Sequence, residues 1–112
     1  MIYLASPYSH PDPAVVEARY RAVLLAVGRM TARGHHVYSP IVHYHEVAKL
    51  MDLPTSAEFW AKINHATIDL CEYVLVLRTG GWIRSDGVLD EISYAKKKGI
   101  QVSYMKAWGA AV

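Results

Sequence analysis

The sequence holds one cysteine, Cys71, in 112 residues. A lone cysteine excludes an internal disulfide framework and fits a reducing compartment. Charge of one sign is also scarce: 12 basic against 10 acidic residues leave a formal +2. That is too little to argue for nucleic-acid or membrane binding, so neither partner is expected. No apolar run is long enough to span a bilayer. Met1 leads straight into a short apolar run, Ile2–Ala5, without the layout of a signal peptide. A soluble cytoplasmic protein is expected. Several fingerprints of chemistry are missing as well. There is no GxGxxG for a dinucleotide, no GxSxG elbow for a serine hydrolase, and no HExxH or paired CxxC for zinc. The six histidines read as polar loop residues, and neither a metal nor a cofactor is expected.

What is present is an ordinary globular composition, 53% apolar and 20% charged. It contains no internal repeat, low-complexity segment or linker, which predicts one domain over 1–112. Ile2–Ala5 predicts a buried first strand. The loop Ser6–Asp12 (SPYSHPD) is dense in turn formers. Asp12 before Pro13 is a helix start, and Val16, Tyr20, Val23, Leu24, Val27 and Met30 mark one helical face ending at Gly34. This predicts a helix over Pro13–Arg33. A second strand is predicted at His36–Ser39, then a short helix around Tyr44–Met51. Thr55–Glu58 matches a capping box opening a helix with a stripe at Phe59, Ile63, Ala66 and Leu70. A third strand follows at Tyr73–Leu77. The next helix runs from about Gly87 to Lys98, with Lys96, Lys97 and Lys98 at its negative end. A fourth strand covers Ile100–Met105, and Lys106–Val112 is a tail.

Strands alternating with helices, each strand nearly continuous in apolar residues, imply a parallel sheet covered on both faces. The expected class is α/β, a flavodoxin-like or Rossmann-like three-layer sandwich with four or five strands. Ligands in such sheets bind beyond the carboxyl ends of the strands. Those ends are Ser6–His10, Ser39–His43 and Arg78–Gly87, which puts His10 and His43 on the ligand edge. The richest stretch is Gly80–Ala95 (GGWIRSDGVLDEISYA), a glycine-rich turn and a helix start that follow the Tyr73–Leu77 strand. The free N–H groups of a helix start hold anions. Ser85 can add a hydroxyl, and Gly87 lets a ligand approach the backbone. Glu91 lies four residues further on. Near a helix N-terminus its carboxylate is expected to be ionised, suited to a nucleophile or to stabilising a cationic sugar. Tyr3 on the first strand can reach and orient it. Ser6, Tyr8 and Ser9 can hold a phosphate or sugar hydroxyl. Trp60 and Trp82 read as core aromatics that could also stack on a base.

Four segments taken in order, IYLASPYSH at 2–10, VYSP at 37–40, NHATIDLCEYVLVL at 64–77 and GWIRSDGVLDEISYAKKKG at 81–99, resemble the nucleoside 2-deoxyribosyltransferase-like superfamily. The resemblance is strongest to its DUF1937 members. The superfamily also includes 2′-deoxynucleoside 5′-phosphate N-hydrolases. The resemblance implies chemistry at an N-glycosidic bond, in which a glutamate attacks C1′ of a deoxyribose and displaces the base. Water or a second base then resolves the covalent intermediate. Glu91 matches that glutamate, Tyr3 the tyrosine that orients it, and Ser85 the serine that contacts a 5′-phosphate in the N-hydrolases. Ser6, Pro7, Tyr8, Ser9, His10, Gly87 and Asn64 complete the implied substrate contacts. Asn64 stands where the superfamily usually carries an aspartate thought to help move a proton to or from the base, and an amide cannot move one. The implied partner is a small nucleoside or nucleotide. The implied assembly is a homo-oligomer, a dimer or larger, with Trp60, Trp82 and Trp108 as candidate interface aromatics. The alternative is a non-catalytic nucleotide or ADP-ribose-type binding module on the same fold.

Overall fold

The computed structural model describes residues 1–106. Its elements are β1 (Ile2–Ala5), α1 (Pro13–Ala32), β2 (Val37–Tyr38), α2 (Pro40–Met51), α3 (Ala57–Ile68), β3 (Tyr73–Arg78), a 3-10 turn (Trp82–Arg84), α4 (Asp86–Lys97) and β4 (Gln101–Lys106). The sheet has the order β2-β1-β3-β4, and every neighbouring pair is parallel. The chain moves from β1 outward to β2, then crosses back over β1 to β3. The switch point therefore lies between β1 and β3, where sheets of this kind open a crevice at their carboxyl ends.

Side chains alternate across each strand, and this alternation builds three layers. Tyr3, Ala5, Val74 and Val76 pack with Ile68, Val88, Ile92 and Ala95, so α3 and α4 cover one face. Leu4, Leu75 and Leu77 pack with Val23, Ala26, Ile41 and Val42, so α1 and α2 cover the other. The sandwich is therefore flavodoxin-like, as expected. Tyr3 is placed by this alternation: an odd position on β1 can only face α4.

Each of the four α-helices among the described residues begins on a side-chain cap. Asp12 accepts from Ala14 N–H (2.9 Å), Ser39 from Val42 N–H (3.1 Å), Ser56 from Phe59 N–H (3.3 Å) and Ser85 from Val88 N–H (3.3 Å). Each satisfies one otherwise orphaned donor, about 1 kcal/mol of helix stability.

The structure corrects several expected boundaries. The second strand is only Val37–Tyr38, because Ser39 already caps α2 and Pro40 takes its first position. The helix expected at Tyr44–Met51 thus starts four residues earlier, and Ser39–His43 is a cap and helical turn instead of a loop. Ser56, one residue beyond Thr55, caps α3. The buried side of α3 is rotated from the expected stripe: Ile68 is fully buried, whereas Phe59, Ala66 and Leu70 are exposed. Lys106 belongs to β4 and not to a tail. Trp108 lies outside the described residues.

Candidate active site

A cavity of about 710 Å³ opens over the carboxyl ends of β1, β2 and β3. The loop after β1 contributes Ser6, Tyr8, Ser9 and His10. Arg19 reaches in from α1, Tyr44 and His45 from α2, and Trp60 and Asn64 from α3. Gly81, Arg84, Ser85, Asp86, Gly87 and Glu91 close the side of α4. Eight of the ten expected site residues therefore share one wall. Tyr3 and Pro7 do not line it; both are fully buried behind it.

Glu91 is 5% exposed and accepts a hydrogen bond from the Tyr3 hydroxyl. The contact follows from the fold, since β1 turns Tyr3 toward α4 and α4 turns Glu91 toward the sheet. Burial, the largest influence, pushes the Glu91 carboxyl up from 4.5 to about 8; the Tyr3 hydroxyl opposes this, and neighbouring Asp90 adds to it. The expectation of an ionised carboxylate is thus overturned for the empty cavity. The reason is position: Glu91 is the sixth residue of α4, and the helix dipole fades within the first turn. Desolvation decides instead. The Tyr3 phenol is pushed far up, first by burial and then by the charge of Glu91, so it remains a donor.

Three polar atoms of cavity-lining residues, Ser6 Oγ, Asn64 Oδ1 and His45 Nε2, are buried without a hydrogen-bond partner. Each such orphan costs about 1–3 kcal/mol, which a polar ligand in the cavity can recover. Asp69 does not substitute for Asn64: it caps the end of α3 and accepts from the Tyr94 hydroxyl at 2.7 Å, away from the cavity.

The corner at the start of α4 carries mixed charge. Ser85 Oγ already accepts from Val88 N–H, leaving its proton free to point elsewhere. Asp86 lines the same cavity, as do Arg84 and Arg19. Arg19 ties the two rim loops together, donating to Ser9 O (2.8 Å) and reaching Gly80 O (3.5 Å). Gly81 makes room for it: its φ is +83°, and a Cβ there would lie 2.6 Å from Arg19 Nη2. A Cβ on Gly87 would meet only Ser85 Oγ, at an ordinary 3.9 Å. Protein packing therefore does not require that glycine.

Sequence reasoning missed His45. It chose His43, which is exposed and off the cavity, while His45 on the next face is 3% exposed and lines it. Trp60 lines the cavity beside Tyr44 (5.1 Å between ring centres), whereas Trp82 packs against the core and Tyr104. Both are engaged within the chain. Among the described residues no group of three or more His, Cys, Asp or Glu is arranged to hold a metal ion. Among the described residues no helix is long and apolar enough to cross a membrane. Cys71 is a buried free thiol.

The fold and cavity define a class: a parallel α/β domain with a buried carboxyl, held by a strand tyrosine, in the crevice at its switch point. Residues 1–107 match the model of a domain of unknown function, DUF1937, and the chain belongs to that family. No curated protein matches the sequence.

Proposed function

We propose that the protein cleaves or transfers the N-glycosidic bond of a (deoxy)nucleoside or its 5′-monophosphate, with Glu91 as nucleophile. The carrying observation is the Tyr3 hydroxyl bonded to a buried Glu91 on the cavity wall. Once ionised, the carboxylate attacks C1′, and the bonding pair leaves with the base. Tyr3 fixes the carboxyl's orientation and stabilises its charged form. The Ser85 hydroxyl, the first N–H groups of α4, the space over Gly87 and the Ser6–Ser9 loop hold sugar and phosphate. Water or a second base then releases the sugar. The same reading carries a cytoplasmic homo-oligomer, which light scattering of the purified protein measures directly.

The test is release of free base, followed by chromatography, across nucleosides and 5′-monophosphates. Wild-type protein releases base from at least one, and Glu91→Ala does not. No release from any member of the panel sinks the enzymatic reading.

Two observations favour a second reading. The Glu91 carboxyl holds its proton at neutral pH in the empty cavity, and Asn64 cannot move protons. A nucleotide or ADP-ribose-type binding module on this fold gives a thermal shift with ligand and no turnover.

A further inference from the structure

Breaking an N-glycosidic bond needs a group to meet the sugar carbon and a proton for the departing base nitrogen. Glu91 supplies the first. Asn64 cannot supply the second. His10 is exposed and its Nδ1 is taken by Asp12 N–H at 3.0 Å. One acid–base pair is assembled in advance: the Tyr8 hydroxyl lies 2.6 Å from His45 Nδ1, and both residues line the cavity.

We propose that Tyr8 is the acid that protonates the leaving base and that His45 resupplies its proton. The inference rests on the N-glycosidic reading above. His45 is gripped on every side. Its ring stacks on Tyr20 from α1 at 3.7 Å and 13°, and meets the Tyr8 ring edge-on at 88°. Its Nε2 is 3.5 Å from Glu17 on α1 and 3.7 Å from Glu46 on α2, with Lys49 drawing on Glu46 at 4.0 Å. The carboxylates within 4 Å of Nε2 and the Tyr8 oxygen at Nδ1 set an acceptor by each ring nitrogen. In the proposed relay the ring carries a proton on each nitrogen, and Nδ1–H is donated to the Tyr8 oxygen. The tyrosine's own O–H is left to point away from His45, toward the cavity. Burial, then the charges of Glu17 and Glu46, raise the Tyr8 phenol, which keeps its proton until a base needs it.

The step balances. A lone pair of the Glu91 carboxylate forms the bond to C1′, and the C1′–N pair goes to the base nitrogen. That nitrogen takes the Tyr8 proton, and Tyr8 takes the Nδ1 proton of His45. The products are a glycosyl ester on Glu91, a neutral base and a neutral imidazole. When water attacks C1′, its proton returns along the same path to Tyr8 and His45, and the Glu91 carboxylate is restored. Tyr8 is the catalytic residue here. His45 acts through it and is a positioning residue.

The experiment compares two leaving groups on deoxyribose 5-phosphate: a natural base, which must be protonated, and 4-nitrophenolate, which leaves unprotonated. Tyr8→Phe and His45→Gln should slow base release on the order of 100-fold or more. They should slow nitrophenolate release far less, and both should flatten the alkaline fall of the pH–rate profile for base release. Equal loss on both substrates, or no loss on either, overturns the proposal while leaving Glu91 as nucleophile. A Glu91→Gln variant that still turns over both substrates overturns the nucleophile and not the donor. Wild-type protein inert toward both overturns the two readings together. Ring-nitrogen NMR of labelled histidine is a readout independent of turnover: His45 Nδ1 carries a proton in the ligand-free protein, and an unprotonated Nδ1 there refutes the relay. If His45→Gln does not fold, Tyr8→Phe carries the test alone.

Discussion

Glu91→Gln should make the protein more stable, and increasingly so as pH rises. The folded carboxyl keeps its proton to about 8, while in the unfolded chain it loses it near 4.5. Between those values the folded state binds more protons, so raising the pH favours unfolding. The span from 4.5 to about 8, at about 1.36 kcal/mol per pH unit, gives about 5 kcal/mol of stability lost by pH 8. About 3 kcal/mol of it is gone by pH 7. Below 4.5 the carboxyl is neutral in both states and the loss vanishes. Glutamine has nearly the same shape, can still accept from Tyr3, and has no proton to lose. Every other titrating group is common to both proteins and cancels in their difference. Urea unfolding of both proteins at half-unit steps from pH 4 to 9 measures that difference. It should be small at pH 4, grow with pH in favour of the variant, and level off above about 8. A domain of this size converts about 3 kcal/mol into roughly 12–24 °C of melting temperature, so a thermal scan at pH 7 shows it too. A difference that stays flat with pH would refute the buried, proton-holding carboxyl.

The same carboxyl predicts the acid side of catalysis: kcat/KM for base release rises through about pH 8 as Glu91 ionises. Tyr3→Phe removes the hydrogen bond that opposes this rise, so its limb should move to higher pH along with a lower kcat. Gly81→Ala forces a non-glycine residue to φ +83° against Arg19, and chemical denaturation should show a loss of about 1–2 kcal/mol or more. Adding Arg19→Ala relieves the clash but not the backbone strain, so the pair should be non-additive in a double-mutant cycle. Gly87→Ala should fold with wild-type stability yet weaken nucleotide binding in a calorimetric titration, because its Cβ enters ligand space alone.

Much of the fold was legible because local chemistry and tertiary need agree. Four apolar strands and glycine after the first and last helices fix the order, and Asp12–Pro13 fixes the start of α1. The same signal at Ser39–Pro40 opens α2, but the strand-like HVYS before it masked the cap. The α3 stripe was misread because its apolar residues are not all inward. Leu70 falls past the end of the helix and is 78% exposed, and Phe59 faces outward. The polar Asn64, by contrast, reaches the cavity. The pairing of Tyr3 with Glu91 was legible as a reach from the first strand, and strand alternation is what turns Tyr3 toward α4. The charge state of Glu91 was not legible, since it depends on burial that only the tertiary fold supplies.

A common feature of the missed and the found residues says where such sites hide. The buried stripe of α4 is Val88, Glu91, Ile92 and Ala95. Their spacing is that of one apolar helix face, and one position on it is a carboxylate. On α2, Ile41, His45 and Ala48 repeat the pattern with a histidine in the stripe, and on α3, Ala61, Asn64 and Ile68 repeat it with an amide. Burying such a group costs free energy unless it is partnered. Glu91 has Tyr3 and His45 Nδ1 has Tyr8, but His45 Nε2 and Asn64 Oδ1 have no hydrogen-bond partner in the protein. Three helices thus each carry one polar side chain on an otherwise apolar face, and all three open on one cavity. Core packing alone does not select that arrangement, since leucine at each would bury more apolar surface at no polar cost. The stability given up at these three places is best explained by what the cavity binds.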